Sequence, residues 1–341
     1  MRSPDPAAPP VVSIVLPAYN EAGNLTDICT HLASVLEPLA LSWEVIISDD
    51  GSRDDTWSEI VLLHQRDRRV KGVQLARNFG HQYALLAGLR QARGQAIISM
   101  DADLQHPPSL IPLLLERWRE GYKVVNTIRL DPKSLSAFKR RTSALYYSLL
   151  SKLSGVSMRR GLSDCRLLDR QVLDELMSFG EAGLFLRGLI MWMGYPTAWV
   201  PFECGERARG HSKYTLKKMV LFALDGITSF SVIPLRVGIV IGVLTSLLAF
   251  TELTYALVVK LSGGVTVPGW ASAISVVSFL FGVMFILLGL IGEYIGRILI
   301  EVRRRPRFLI NASVGLAMPP EPRVSPMVPR LLDREDGRDT G

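Results

Sequence analysis

Residues 97–107 read IISMDADLQHP, an apolar strand-like run that stops at two aspartates, Asp101 and Asp103, with the small Ala102 between them. One reading is turn chemistry, in which aspartate side chains at a strand end accept hydrogen bonds from nearby backbone. The other is a cation site. Hard divalent ions such as Mg2+ or Mn2+ take oxygen ligands and leave positions for water or substrate phosphate, so two carboxylates followed by the amide of Gln105 suit them. An Asp-x-Asp alone does not separate the two.

The flanking sequence repeats the arrangement. Strand-like runs VVSIVLPAYN, WEVIISDDG, VKGVQLA and KVVNTI alternate with helix-like segments near 21–39, 55–66, 81–92 and 109–120. Strands separated by helices of this length predict an α/β fold with a mostly parallel sheet flanked by helices. Ligands of such sheets bind at the carboxyl ends of the strands. That is where PAYNE, SDDGS, ARNFGH and DADLQ fall.

The chain has 341 residues, of which 48% are hydrophobic, and a mean hydropathy of +0.23, high for a wholly soluble protein. Two stretches account for it: 237–259, with Glu252 as its only charge, and 271–292, with none. Each exceeds the roughly 20 helical residues that cross a hydrocarbon core about 30 Å thick; a buried soluble hairpin is the competing reading. Glu252 lies near the end of its stretch, within reach of the interface. Arg236 precedes the first stretch, and Arg297, Arg303, Arg304, Arg305 and Arg307 follow or close the second, whereas Lys260 alone marks the intervening loop. This asymmetry predicts a two-span protein of the cytoplasmic (inner) membrane with both termini and the preceding domain in the cytosol. The opening MRSPDPAAPP has no apolar core and is not read as a secretory signal.

The net charge of +7 gathers beside the apolar stretches, which points to anionic lipid and away from nucleic acid. Three scattered cysteines, Cys29, Cys165 and Cys204, form no pair motif, consistent with a reducing compartment and against zinc. Two further segments, 139–153 and 212–230, place leucines on one helical face and lysines or arginines elsewhere. Packing on the soluble core and lying in the headgroup plane both fit; the basic flanks favour the interface. The expected division is a flexible 1–10, a cytosolic domain over 11–230 that includes the interface helices, a two-helix membrane domain over 231–300, and a basic segment with a disordered tail over 301–341. Glycine and serine in the spans permit close helix approach, which leaves a homo-oligomer open.

In this order and at these intervals, PAYNE (17–21), DDGSRDDT (49–56), RNFGHQYAL (77–85) and DADLQHPP (101–108) resemble the family 2 inverting glycosyltransferases of the GT-A fold. ERARGHSKY (206–214), LDGITSFSVIPLR (224–236) and GEYIGRILIEVRRRP (292–306) are similar to the polyprenyl-phosphate glycosyltransferases among them, both the dolichyl-phosphate mannose synthases and, more closely, bacterial bactoprenol glucosyltransferases with two transmembrane helices. The resemblance covers about residues 11–310. It implies that Pro17, Tyr19, Glu21, Asp50 and Ala102 line the nucleotide site, that Asp101, Asp103 and Gln105 hold the metal, and that Arg129, Arg207 and Lys213 meet phosphates. Asp103, Asp164 and Arg207 are then the catalytic candidates. Competing readings stand beside these: Asp49 as a helix cap, Arg129 as a solvated arginine, Lys213 as a lipid-facing lysine. Where the bacterial relatives commonly read Gly-Asp-Phe-Arg-Leu, this chain has Ser163, Asp164, Cys165, Arg166 and Leu167. Asp164 and Arg166 keep a role near an acceptor phosphate open, against a structural ion pair of Arg166 with Asp164 or Asp169.

The implied reaction is transfer of one hexose from a sugar nucleotide, UDP-glucose first and GDP-mannose or a UDP-4-amino-4-deoxy-arabinose derivative as rivals, to undecaprenyl phosphate. A processive polysaccharide synthase would carry Gln-x-x-Arg-Trp, but Leu114 occupies the Gln position before Arg117 and Trp118. A membrane-anchored scaffold without turnover has no need for the aspartates.

Overall fold

The computed structural model describes residues 10–103, 106–130, 161–179, 186–202, 233–262, 269–303 and 305–316. Strands β1 (Val12–Ala18) and β2 (Trp43–Asp49) are buried at every position. Their mostly apolar runs have that cause, since a parallel strand roofed by helices on both faces has no solvent side; the buried Glu44 is met by Ser13 and Lys71. With β3 (Val70–Leu75) and β4 (Ala96–Ser99), they form a parallel block in the order β4-β1-β2-β3. Helices α1 (Leu25–Leu36), α2 (Thr56–Arg66) and α4 (Leu110–Arg119) cover one face. On the other lies α3 (His81–Gln91), whose Ala84 to Leu89 pack against Val15 and Ile46. Asn24 does not cap α1 with its own side chain. Glu59 of α2 does so instead, accepting from the amides of Gly23 (2.7 Å) and Thr26 (2.9 Å), so the first two helices are locked together through an otherwise orphaned helix end.

The sheet continues beyond the strands legible in the sequence. β5 (Val124–Arg129) is followed, past residues 131–160, by β6 (Leu162–Asp169), α5 (Arg170–Ser178), α6 (Leu186–Trp192) and β7 (Thr197–Phe202). β6 runs antiparallel between β4 and β5, and β7 lies parallel to β5 at the sheet edge. Pro201 weakens the strand signal of β7, and it is tolerated because an edge strand has one side without ladder partners. The amphipathic segments 139–153 and 212–230 lie outside the described residues.

Both apolar stretches are helical: α7 (Ile233–Leu261) and α8 (Trp270–Arg303). They touch closely where a Cβ on Gly238 would come within 2.8 Å of Leu287. Among the described residues, one stretch, Phe279–Arg303, is long and apolar enough to cross a membrane, while Val237–Thr251 is a shorter apolar helix.

The disorder expected of the tail is corrected for 310–314, while 317–341 lie outside the described residues. Ile310–Val314 forms β8, antiparallel to β3, and completes an eight-stranded sheet in the order β7-β5-β6-β4-β1-β2-β3-β8. INASV alternates apolar and polar residues, but five residues are too short to be read as a strand alone; the open edge of β3 supplies the partner. The approach from α8 is fixed as well. Arg307 donates through Nη2 to the Phe179 carbonyl at 2.6 Å, Phe308 is buried among Leu89, Leu173 and Leu176, and the Ala76 amide donates to the Leu309 carbonyl at 2.9 Å. Replacing Phe308 with Ala should therefore cost about 3 kcal/mol in chemical denaturation and speed proteolysis within 305–316. Unchanged stability would mean that the strap rests on the domain without holding it.

Candidate active site

The parallel strands end at one rim, where a cavity of about 430 Å³ is lined by Pro17, Ala18, Tyr19, Glu21, Asp50, Asn78, Gly80, His81, Ala84, Asp101, Ala102 and Asp103. Each wall comes from a different strand end. Pro17 to Glu21 close and follow β1, Asp50 follows β2, Asn78 to His81 follow β3 with Ala84 behind them on α3, and Asp101 to Asp103 follow β4. The structure thus brings together Pro17, Tyr19, Glu21, Asp50, Asp101, Ala102 and Asp103. Arg129, exposed at the end of β5, stands at the same rim and acts electrostatically on His106, but it is not part of the cavity wall. Gln105, Arg207 and Lys213 lie outside the described residues.

Local backbone explains how the walls are held. Asp50 is buried, and its carboxylate accepts from the amides of Phe79 (2.7 Å) and Gly80 (2.9 Å). It shapes the loop after β3 as well as lining the cavity. Burial raises its pKa against those hydrogen bonds. Gly51 next to it has φ +66°, and a Cβ there would stand 2.5 Å from the Arg77 carbonyl carbon, so only glycine fits between the two loops. Asp49 is no helix cap. Its Oδ1 accepts from the Ser52 amide (2.9 Å), and its Oδ2 from Gln74 Nε2 (3.0 Å). Asp54 instead serves the start of α2, accepting from the Thr56 amide at 3.1 Å.

Asp101 sits between two histidines that the sequence reading left without a role. His81 Nε2 lies 2.9 Å from its Oδ1, and His106 Nδ1 lies 3.6 Å from its Oδ2. His106 is anchored in turn through Nε2 to Ser163 Oγ at 2.5 Å. Burial keeps His106 below its ordinary pKa. Both histidines stand inside quoted motifs, RNFGHQYAL and DADLQHPP, and for His106, three residues after Asp103, that position was the available signal.

The cavity is strongly anionic. Burial raises the Glu21 pKa, and Asp103, Asp54 and Asp101 add to that by repulsion. Carboxylates crowded at a rim built to take a ligand fit a hard divalent cation, which needs one or two protein carboxylates and completes its shell with water and phosphate. Among the described residues no three His, Cys, Asp or Glu converge as a closed metal cage, so Asp101 and Asp103 fit such an ion only in this open manner.

Behind this wall lies a second charged group. Asp164 receives a forked pair from Arg187 of α6, Nε at 2.7 Å and Nη2 at 2.6 Å, and a contact from Arg166 at 3.2 Å. The structural ion pair is thus Arg166 with Asp164; Asp169 instead accepts from Trp118 Nε1 and Lys123. Burial opposes ionisation of Asp164, yet Arg187 and then Arg166 hold its carboxyl far below the usual range. Arg166 is itself buried, which lowers its pKa to about 10, and among the described residues its Nε and Nη1 have no hydrogen-bond partner. His81 couples electrostatically to both Asp164 and Arg187, so this cluster adjoins the cavity. A carboxylate held this way is a weak base. Arg187 lay in no motif that the sequence reading used.

A mostly parallel α/β sheet with a cleft at its strand ends has the form of a ligand-binding enzyme domain. The glycosyl transferase family 2 model matches residues 13–177, and a model described as the GtrB C-terminal hairpin matches 233–298. An uncharacterized glycosyltransferase of Synechocystis is 39% identical over 305 residues, 89% of this chain and 96% of that protein. The SfII prophage-derived bactoprenol glucosyl transferase of Shigella flexneri is 36% identical over 302 residues, 89% and 98% of the respective chains. Among solved structures, glucosyl-3-phosphoglycerate synthase from Mycobacterium tuberculosis with phosphoglyceric acid aligns at 21% identity and TM-score 0.45, over 65% of this chain and 79% of that one. The chain belongs to the family 2 glycosyltransferases.

The Asp164 cluster yields a pH prediction. Its folded pKa is depressed, so its stabilisation is complete above the ordinary carboxylate pKa of about 3.9 and is lost as the pH falls below that value. Asp164→Asn should cost about 3 kcal/mol at neutral pH, because Arg166 loses its buried counter-charge. The gap from the parent protein should narrow in more acidic denaturation series; a gap independent of pH would assign the loss to packing.

Proposed function

We propose that the chain transfers a single sugar, glucose from UDP-glucose, with inversion to undecaprenyl phosphate at the cytosolic face of the inner membrane. The product is a lipid-phosphate-linked sugar for modification of cell-envelope glycans such as lipopolysaccharide O-antigen. What carries the reading is that the likeness to the Shigella bactoprenol glucosyl transferase runs past the catalytic domain through the terminal hairpin, over 98% of that protein.

In this reading Pro17, Tyr19, Glu21, Asp50 and Ala102 hold the base and ribose of the donor. Asp101 and Asp103, with Gln105, hold Mg2+ or Mn2+, which when bound neutralises the nucleoside diphosphate as it leaves. Arg129, Arg207 and Lys213 meet phosphate oxygens as fixed donors and compact positive charge. A lipid monophosphate has a second pKa of about 6, so it reaches the site already largely dianionic. It needs no general base, which suits an Asp164 fixed between two arginines. The chain's task is to hold two anions in line and to stabilise charge on the departing group. In-line attack on an α-linked donor gives a β-linked product.

Both α7 and α8 cross the bilayer in this reading. Their 29 and 34 residues make helices about 43 and 51 Å long, and the arginines around Arg236 and Arg303 to Arg307 keep the flanks cytosolic. The acceptor headgroup lies at the same surface.

Purified protein incubated with Mg2+ or Mn2+, undecaprenyl phosphate and a panel of labelled sugar nucleotides should make glycolipid from UDP-glucose. Turnover with GDP-mannose or the amino-arabinose donor alone would replace the sugar and keep the acceptor; no product from any donor would favour a scaffold. Asp103→Ala should abolish turnover while membrane insertion is retained. Full activity of that variant, or of chelator-treated enzyme, would overturn the metal assignment.

A further inference from the structure

Trp192 ends α6 with 63% of its surface exposed. One exposed aromatic ring is ordinary on a folded domain; what sets this one apart is its neighbours. The ring stands edge-on to Phe179, centroids 6.0 Å apart, and the Phe179 carbonyl is the acceptor for Arg307 in the strap leaving α8. Arg307 is four residues past Arg303, where the apolar stretch of α8 ends, and four residues span at most about 14 Å. Trp192 is therefore tethered near the point at which α8 emerges.

The surroundings are basic and partly apolar. Arg303 and Arg305 are exposed, Arg90 lies over the Phe308 ring at 5.3 Å, and Leu309 is exposed on the strap. α8 also turns large apolar side chains outward, Phe285 at 65% exposure among them. An amphipathic aromatic ring next to arginines, continuous with an apolar helix, matches the headgroup layer of a bilayer. A second copy fits less well, because a two-fold contact would set these arginines against their own counterparts.

We propose that Trp192, Leu309 and the arginines of the strap form a docking surface for anionic lipid headgroups, which seats the catalytic domain against the leaflet where α8 ends. The proposal rests on the membrane reading above and adds to it a fixed contact between the globular domain and the lipid. Seated so, the domain holds still relative to the bilayer, because the strap joins the end of α8 to the end of β3, whose following loop supplies Asn78 to His81 to the cavity.

The test uses the full chain with Cys204 replaced by Ser and Cys29 and Cys165, both buried, left in place. An environment-sensitive fluorophore is attached at Trp192→Cys, at Leu309→Cys as a second site, at Leu62→Cys on α2 as a water-facing control, and at Phe285→Cys on α8 as a lipid-facing control. In phosphatidylcholine vesicles containing phosphatidylglycerol, a shallow lipid-borne nitroxide should cause loss of fluorescence at 192 and 309 and leave 62 unaffected, whereas aqueous iodide should do the reverse. Omitting phosphatidylglycerol, or introducing Arg305→Glu, should weaken the nitroxide effect at 192. Iodide quenching at 192 equal to that at 62 would overturn the docking surface, as would shielding of 192 from both quenchers, which would mean protein covers it. If 285 also escapes the nitroxide, the membrane reading itself fails; if 285 is quenched and 192 is not, only the docking surface does.

Discussion

Parallel pairing forces the strand ends of β1 to β4 into line. Val15 stands opposite both Ile46 and Ser99, and Asp49 opposite both Ala18 and Gln74, so the residues that close each strand have no choice but to share one edge. Such pairing leaves no solvent face, which is why β1 and β2 are buried at every position and why helices cover both sides. The polar residues excluded from those strands collect where the strands stop. The acidic cavity is thus a consequence of how the sheet is built as much as of which residues line it.

The alternation of strands and helices from residue 11 to 129 made the parallel block and its four helices legible in the sequence, while the seven cavity residues from Pro17 to Asp103 came from the resemblance to family 2 glycosyltransferases. The legible part ends where local pattern ends. β6 reads LSDCRLLD, with three charges in eight positions, and its Asp164 is matched inside the fold by Arg166 of the same strand and by Arg187 of α6. β7 carries a proline and β8 is five residues long, and both depend on a partner strand far away in the chain. His81, His106 and Arg187 were missed for a related reason: each acts through a contact made across the fold, and periodicity is blind to such contacts.

The charges sort into two kinds. At the cavity, Asp103 and Asp101 stand close enough to Glu21 to raise the cost of its ionisation, an arrangement that favours a positively charged or cation-bearing ligand. Behind it, Asp164 is matched by two arginines, and the match fixes the carboxylate as an anion over the working pH range. Two aspartates of similar appearance in the sequence are therefore set to opposite tasks by their neighbours. Asp103 lines an acidic cavity open to a ligand, and Asp164 belongs to an ion-paired cluster behind it.

The sheet draws its last strand from the far side of α7 and α8. During synthesis, the first seven strands leave the ribosome before either apolar helix, and throughout that interval β3 presents a bare edge of the kind that invites pairing with other chains. β8 can cover that edge only after both helices have been made. Chain assembly thus ends where the catalytic domain and the hairpin meet, and a protein interrupted before residue 310 keeps an open sheet, a natural mark by which quality control could tell an unfinished molecule from a finished one.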